Sequence, residues 1–125
     1  MAVRVRLLVS LIAIMLLPGC GGRPMARVKG RVTCNGQPVA SAALTFSPVP
    51  QSEGDLEAGK PATGFSDADG KYVLSTYKAH DGALVGKHRV TVALDDANPA
   101  RCKRLTHLVR EVGPGDNDLN VELNE

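Results

Sequence analysis

The feature that most constrains this chain is an alternation of apolar and polar residues with a period of two. His88, Val90, Val92 and Leu94 alternate with Arg89, Thr91 and Ala93 in the longest such run. Val28, Gly30, Val32 and Cys34 alternate with Lys29, Arg31 and Thr33, and Leu119, Val121 and Leu123 with Asn120, Glu122 and Asn124. Successive side chains of a strand point to opposite faces, so each run reads as a strand with one face inward. Leu44 and Phe46 against Thr45 and Ser47, Tyr72 with Leu74, and Leu108–Val112 add shorter strands. Between them, Asn35-Gly36, Asp67-Ala68-Asp69-Gly70, Asp81-Gly82 and Gly113-Pro114-Gly115-Asp116-Asn117 supply residues that accept positive φ or bond their own backbone. No helical period is sustained after the first twenty or so residues. About seven short strands separated by turns argue an all-β fold, a single Ig-like β-sandwich.

The front of the chain is different. Met1–Arg6 carries two arginines and no acid, and Leu7–Leu17 is apolar except for Ser10. At about 1.5 Å per residue a helix over that run spans roughly 16 Å, half of the ~30 Å hydrocarbon core of a bilayer. The run suits the apolar region of a signal peptide and is too short to span a membrane. Leu17-Pro18-Gly19-Cys20 resembles the bacterial lipobox, in which the cysteine thiol is alkylated by a diacylglyceryl group before cleavage on its N-terminal side. That chemistry needs the small Gly19, the nucleophilic Cys20 and the apolar Leu17; Pro18 departs from the commoner small residue. The alternative is an ordinary signal peptide with a chance cysteine. The expected organisation is a lipoprotein signal peptide at 1–19, a short lipid-anchored tether at 20–26 and a sandwich at 27–125. Gly21-Gly22 lacks an acid after Cys20, which points to the outer rather than the inner membrane of an extracytoplasmic envelope compartment.

Charge is read after that cleavage. The chain has 15 Lys+Arg against 13 Asp+Glu, and Arg4 and Arg6 fall in the signal peptide, which leaves thirteen of each. The basic excess is therefore a targeting feature and no argument for nucleic acid; scarce aromatics argue the same way. Arg23, Arg27, Lys29 and Arg31 cluster behind the anchor. They fit either anionic lipid headgroups or the solvent face of the first strand. With no Trp, two Phe and two Tyr, burial falls mostly to Val, Leu and Ala. An oxidising compartment allows Cys34 and Cys102 to pair, closing a loop of nearly 70 residues; two separate thiols are the alternative.

The order of these signals is itself informative. The run VKGRVTCNGQPVASAALTFSP, through Val28, Gly30, Val32, Asn35, Gly36, Pro38, Val39, Ala43, Phe46 and Pro48, resembles the opening of carboxypeptidase regulatory-like domains. GFSDADGKYVLST and DGALVGKHRVTV are similar to that family's second and third signatures, carried by residues such as Asp67, Gly70, Tyr72, Asp81, Gly82 and His88. The resemblance implies a transthyretin-like β-sandwich, and lipoproteins built this way look like a group abundant in planctomycete-type bacteria. It implies an accessory module and supplies no catalytic residues, because the peptidase domain such modules accompany is absent from this sequence.

Residues that invite chemistry have plainer readings. A calcium loop with Gly70 at its sixth position would place Phe65 first and Thr76 twelfth, where oxygen ligands are required. His80, His88 and His107 form no i, i+4 pair and no Cys/His arrangement, so no metal is expected. His80 and Asp81 could form a surface hydrogen-bonded pair at a turn. No nucleophile elbow or phosphate loop is present, and no catalytic residue or cofactor is assigned. The expected function is a non-catalytic, lipid-anchored structural or protein-interaction module in the envelope. Its partners would be the membrane, through Cys20, and an envelope protein or polysaccharide, met at Pro48–Lys60 and Arg101–Arg104. A carbohydrate- or peptide-binding module is the alternative, with Tyr77 as the one aromatic suited to stacking.

Overall fold

A computed structural model describes residues 24–51, 58–95, 102 and 105–124, with side chains left undescribed at 105–107. The signal peptide and Cys20 therefore lie outside the described residues, as do 52–57 of the Pro48–Lys60 loop and Arg101, Lys103 and Arg104. Ten strand segments and no helix are present among the described residues. The all-β expectation is met, in two sheets of different construction.

The first sheet is built on one strand. β1 (Met25–Cys34) begins two residues ahead of the expected boundary and is the longest strand, with ten residues. Along one edge it pairs antiparallel with β6 (Ala83–Leu84), β5 (Lys71–Val73) and β2 (Gln37–Pro38) in turn. Along the other it pairs parallel with β9 (Asp116–Asp118) and β10 (Val121–Leu123). Asn35 and Gly36, with φ of 51° and 80°, form the tight hairpin turn from β1 into β2, since both residue types tolerate positive φ. Gly30 sits opposite Tyr72, and a Cβ there would lie 2.1 Å from the Leu119 carbonyl oxygen. The bare backbone lets the Tyr72 ring pass over β1 and donate its hydroxyl to Leu119 O. Burial pushes that phenol above its ordinary pKa; the Arg110 charge opposes the shift and Asp118 adds to it.

The second sheet is four-stranded and antiparallel, in the order β4 (Ala62–Phe65), β3 (Ala43–Pro48), β7 (Gly86–Ala93), β8 (Leu105–Val112), with a crossover between the neighbours β3 and β7. A bridge between Thr63 and Ser75 stitches its β4 edge to the first sheet. The inward residues of both sheets form one core: Val28, Val32 and Val121 from the first, Leu44, Phe46, Val90 and Val92 from the second. Phe46 is its aromatic centre, 6.3 Å from the Tyr72 ring and 6.0 Å from the His88 ring.

Three sequence expectations change. β8 reaches back to Leu105, where the sequence reads as polar connection, because it continues the ladder along β7 past an irregularity between Val90 and Val92. Asp116–Asp118, read as part of a turn, is a strand laid parallel to β1. Its register is held by Asn117, whose amide donates to Arg27 O at 3.1 Å and to Gly113 O at 2.8 Å while its Oδ1 accepts from Gly113 N–H. Leu94, read as the end of the β7 alternation, lies just beyond the strand and is half-buried.

Candidate functional site

The turn acids are used by the backbone. Asp67 Oδ1 accepts from the amides of Asp69 and Lys71, both at 2.9 Å, which closes the β4–β5 turn. Asp81 accepts from three consecutive amides, Thr76 at 2.7 Å, Tyr77 at 3.0 Å and Lys78 at 2.9 Å. Partial desolvation raises its pKa, and the amides of Thr76, Lys78, Tyr77 and Asp81 itself outweigh that and hold it below the ordinary value. The same turn fixes His80 at φ 60°, with its N–H donating to Ser75 Oγ at 2.7 Å. The expected His80–Asp81 side-chain pair is not formed: Asp81 spends both oxygens on amides. Gly82, at φ 93°, crosses β1 so closely that a Cβ would lie 1.8 Å from Ala26 O. Buried Ser66 is spent likewise, accepting from Ala42 N–H at 2.9 Å and donating to Val39 O at 2.6 Å.

His88 is fully buried. Its Nε2 donates to Leu84 O at 2.6 Å. Nδ1 has no partner, nor does Nε of Arg110, the residue across the ladder from it. Arg110 points inward and donates from its guanidinium to Asn120 O. Among the described residues no group of three or more His, Cys, Asp or Glu is arranged to hold a metal ion. The side chain of His107 is outside the described set. Cys34, at the end of β1, and Cys102 lie with Cα atoms 6.1 Å apart, within the span of a disulfide, and their sulfurs are joined.

The two outer faces differ sharply. The first sheet presents Arg27, Lys29 and Arg31 from β1, flanked in register by Asp116 and Asp118 on one side and Lys71 on the other. This face carries two shallow depressions that share Lys29. One, of about 540 Å³, is lined by Arg27, Val73, His80 and Asp116 among others. The other, of about 330 Å³, is lined by Arg31, Lys71 and Asp118. Both mix cations with acids. Tyr77 stands nearby at 63% exposure with the Lys60 ammonium 5.4 Å from its ring centroid, so one ring face already holds a cation.

The second sheet presents cross-strand rows Phe65–Ala43–Ala93, Thr63–Thr45–Thr91 and Ser47–Arg89–Val109. Arg89 is the single charge among these nine positions. The next row adds the exposed charges Lys87 and Glu111, and Phe65 and Val109 stand out at 72% and 55% exposure. The sequence reading singled out neither Phe65 nor Val109 for a surface role. The signal was present: Ala62 and Gly64 are small enough to turn inward, which sends Phe65 out, and Leu108 with Val112 inward sends Val109 out.

No known family's sequence profile matches this chain, and no curated protein matches it. Among solved structures it is similar to a DUF3823 family protein from Parabacteroides merdae ATCC 43184, with 21% identity over 82% of this chain and 47% of that one and a TM-score of 0.49. It is also similar to a DUF3823 family protein from Bacteroides ovatus ATCC 8483, with 15% identity over 78% of this chain and 44% of that one and a TM-score of 0.48. The chain thus spans about half the length of the solved structures it resembles.

Proposed function

We propose that this chain is a lipid-anchored lipoprotein of the bacterial cell envelope, its carboxypeptidase regulatory-like sandwich serving as a non-catalytic structural or protein-interaction module. One observation carries the non-catalytic part. The polar side chains that a sequence reader would recruit for chemistry, Asp67, Asp81, Ser66, Asn117 and Tyr72, are engaged by backbone groups that shape turns and register. A side chain spent in this way is a poor acid, base or ligand, because freeing it breaks the turn. The anchoring part rests on the basic start, the apolar run and Leu17-Pro18-Gly19-Cys20.

The binding reading, a carbohydrate or peptide module, rests on Tyr77 and the mixed-charge depressions beside it. Lys60 over the Tyr77 ring leaves less of it for sugar stacking, which favours the interaction module.

Production of the full chain in a bacterium that processes lipoproteins, followed by mass analysis of the mature N-terminus, tests the anchor. A diacylglyceryl group on an N-terminal Cys20, lost with membrane association in Cys20→Ala, is the expected result. A mature chain that starts elsewhere contradicts it. Pull-down from envelope extract run beside a glycan array then separates a protein partner from a polysaccharide.

A further inference from the structure

We infer that the side of the sandwich formed by the outer faces of β1, β5 and β4 lies against an anionic phospholipid surface. The inference deepens the lipid-anchor reading above and rests on it. Exposed apolar surface is gathered on this side. Of the four large apolar side chains exposed among the described residues, Phe65, Val73 and Tyr77 belong to it, and Val109 stands on β8 at the far edge of the second sheet. Thr63 pairs with Ser75, and Asp67 N–H donates to Lys71 O at 2.9 Å. Phe65, midway along β4 between those contacts, therefore stands opposite Val73 on β5. Val73 is in turn the partner of Lys29 on β1. Tyr77 stands in the turn that follows β5, whose His80 lines the depression beside Val73 and Arg27.

Charge is sorted across the same surface. Arg27, Lys29 and Arg31 project from β1, and Lys71, the partner of Arg31, projects from β5. The exposed acids Asp116, Asp118 and Glu122 lie beyond β1 on its other side, on β9 and β10. Asp67 and Asp69 belong to the turn at the far end of β1, where Gly70 O accepts from Val32 N–H. Asp81, at the near end, is turned to three amides. From β1 to β4 the surface thus joins four cations to an exposed aromatic and an exposed aliphatic side chain. Such a face suits a membrane interface: apolar groups enter between the headgroups while Lys and Arg reach the lipid phosphates.

The anchor keeps this side within reach of lipid. Four residues separate Cys20 from Met25, where β1 begins, so a fully extended tether spans only about 18 Å. Arg27 follows two residues into β1, and Lys29, beside Val73, follows four. Confined so close, the face meets headgroups at a high effective concentration. Each base near an anionic surface strengthens the contact about fivefold. Tether and charge together select lipid as the occupant.

The full lipidated chain, reconstituted through its anchor into vesicles, tests this. The sequence has no Trp, so Phe65→Trp places a single reporter on the face. In vesicles of phosphatidylcholine mixed with phosphatidylglycerol, its emission should shift to the blue and be quenched by brominated lipid. Val109→Trp should stay in water. Adding Lys71→Glu to Phe65→Trp should lower the docked-to-free ratio at least about fivefold. Lys87→Glu, an equal charge change on the second sheet, should leave it unchanged. Docking should also weaken as salt rises to about 1 M, where the screening length falls to about 3 Å. Thermal melting checks that every variant is folded. A Phe65→Trp spectrum that stays that of water on anionic vesicles overturns the inference and leaves the face to a protein partner. So does quenching no greater than that of Val109→Trp, or quenching indifferent to Lys71→Glu. A chain without lipid on Cys20 overturns the anchor reading and this inference together, and the N-terminal mass analysis reads that outcome separately.

Discussion

The two sheets of this molecule solve the same packing problem in opposite ways. In the second sheet each of β4, β3, β7 and β8 pairs with its neighbours in an antiparallel ladder, so the load is shared. In the first, β2, β5, β6, β9 and β10 all pair with β1. Several special devices in the protein also end on β1. Gly30 admits Tyr72, Gly82 packs on Ala26, Asn117 binds Arg27 O, Val32 N–H donates to Gly70 O at 2.7 Å, and Cys34 is joined to Cys102. The lesson is a division of labour. The first sheet holds the chain's turns and ends in register, whereas the second is an antiparallel ladder in which each strand leans on its neighbours.

Substitutions that bury a charge break both halves and come first. Val90→Asp and Val121→Asp each place a carboxylate at a position with no exposure, one in each sheet. Each should cost more than about 4 kcal/mol and abolish cooperative folding by circular dichroism. At exposed outward positions, Lys87→Gln and Glu122→Gln should stay within about 0.5 kcal/mol in denaturant titration. Loss of the bridge comes next. Cys102→Ala, or reduction, releases a constraint across 68 residues that ends on β1. The chain-entropy account gives about 4 kcal/mol, read as a fall in the urea midpoint.

Smaller effects sharpen the comparison. Gly82→Ala places a Cβ against Ala26 O at a φ that side chains avoid and should cost about 1–3 kcal/mol in thermal melting. Gly36→Ala, at a similar φ but with open space around its Cβ, should cost about 1 kcal/mol. The difference between them measures how tightly β1 is gripped at its start. Asp81→Asn removes a charge that three amides hold, at a cost of about 1 kcal/mol near neutral pH. Because the folded state depresses the Asp81 pKa, its contribution is complete above the unfolded value of about 3.9 and fades as pH falls through the lower folded value. Acid titration of the wild type against Asp81→Asn should therefore converge at low pH.

Much of this fold is legible in the sequence where a residue's neighbours decide its conformation. Alternation at Val28–Cys34 and His88–Ala93 gives the inward faces, and Asn35-Gly36 gives a turn by backbone sterics alone. The rest depends on partners distant in the chain. Asp-Asn-Asp at 116–118 has no strand propensity; β1 and the three hydrogen bonds of Asn117 make it one. The placing of half-buried Arg110 opposite His88 follows from a register between β7 and β8 that no local pattern states. The dominance of β1 over its sheet is a property of pairing and not of composition. For the surface, the scarcity of charge at Thr45, Thr63 and Thr91 is in the sequence, but that they form one row is not.

β1 carries the stability of the whole sandwich. Native-state hydrogen exchange of the full chain tests it most directly, through the amide of Val32, buried in β1 and bonded to Gly70 O. This amide should exchange only by global unfolding, with an opening free energy equal to the one obtained from denaturant titration. Exchange of Val32 through a smaller, local opening while the amides of Phe46 and Val90 stay protected would contradict it, and would make the first sheet a peripheral layer on a self-sufficient second one.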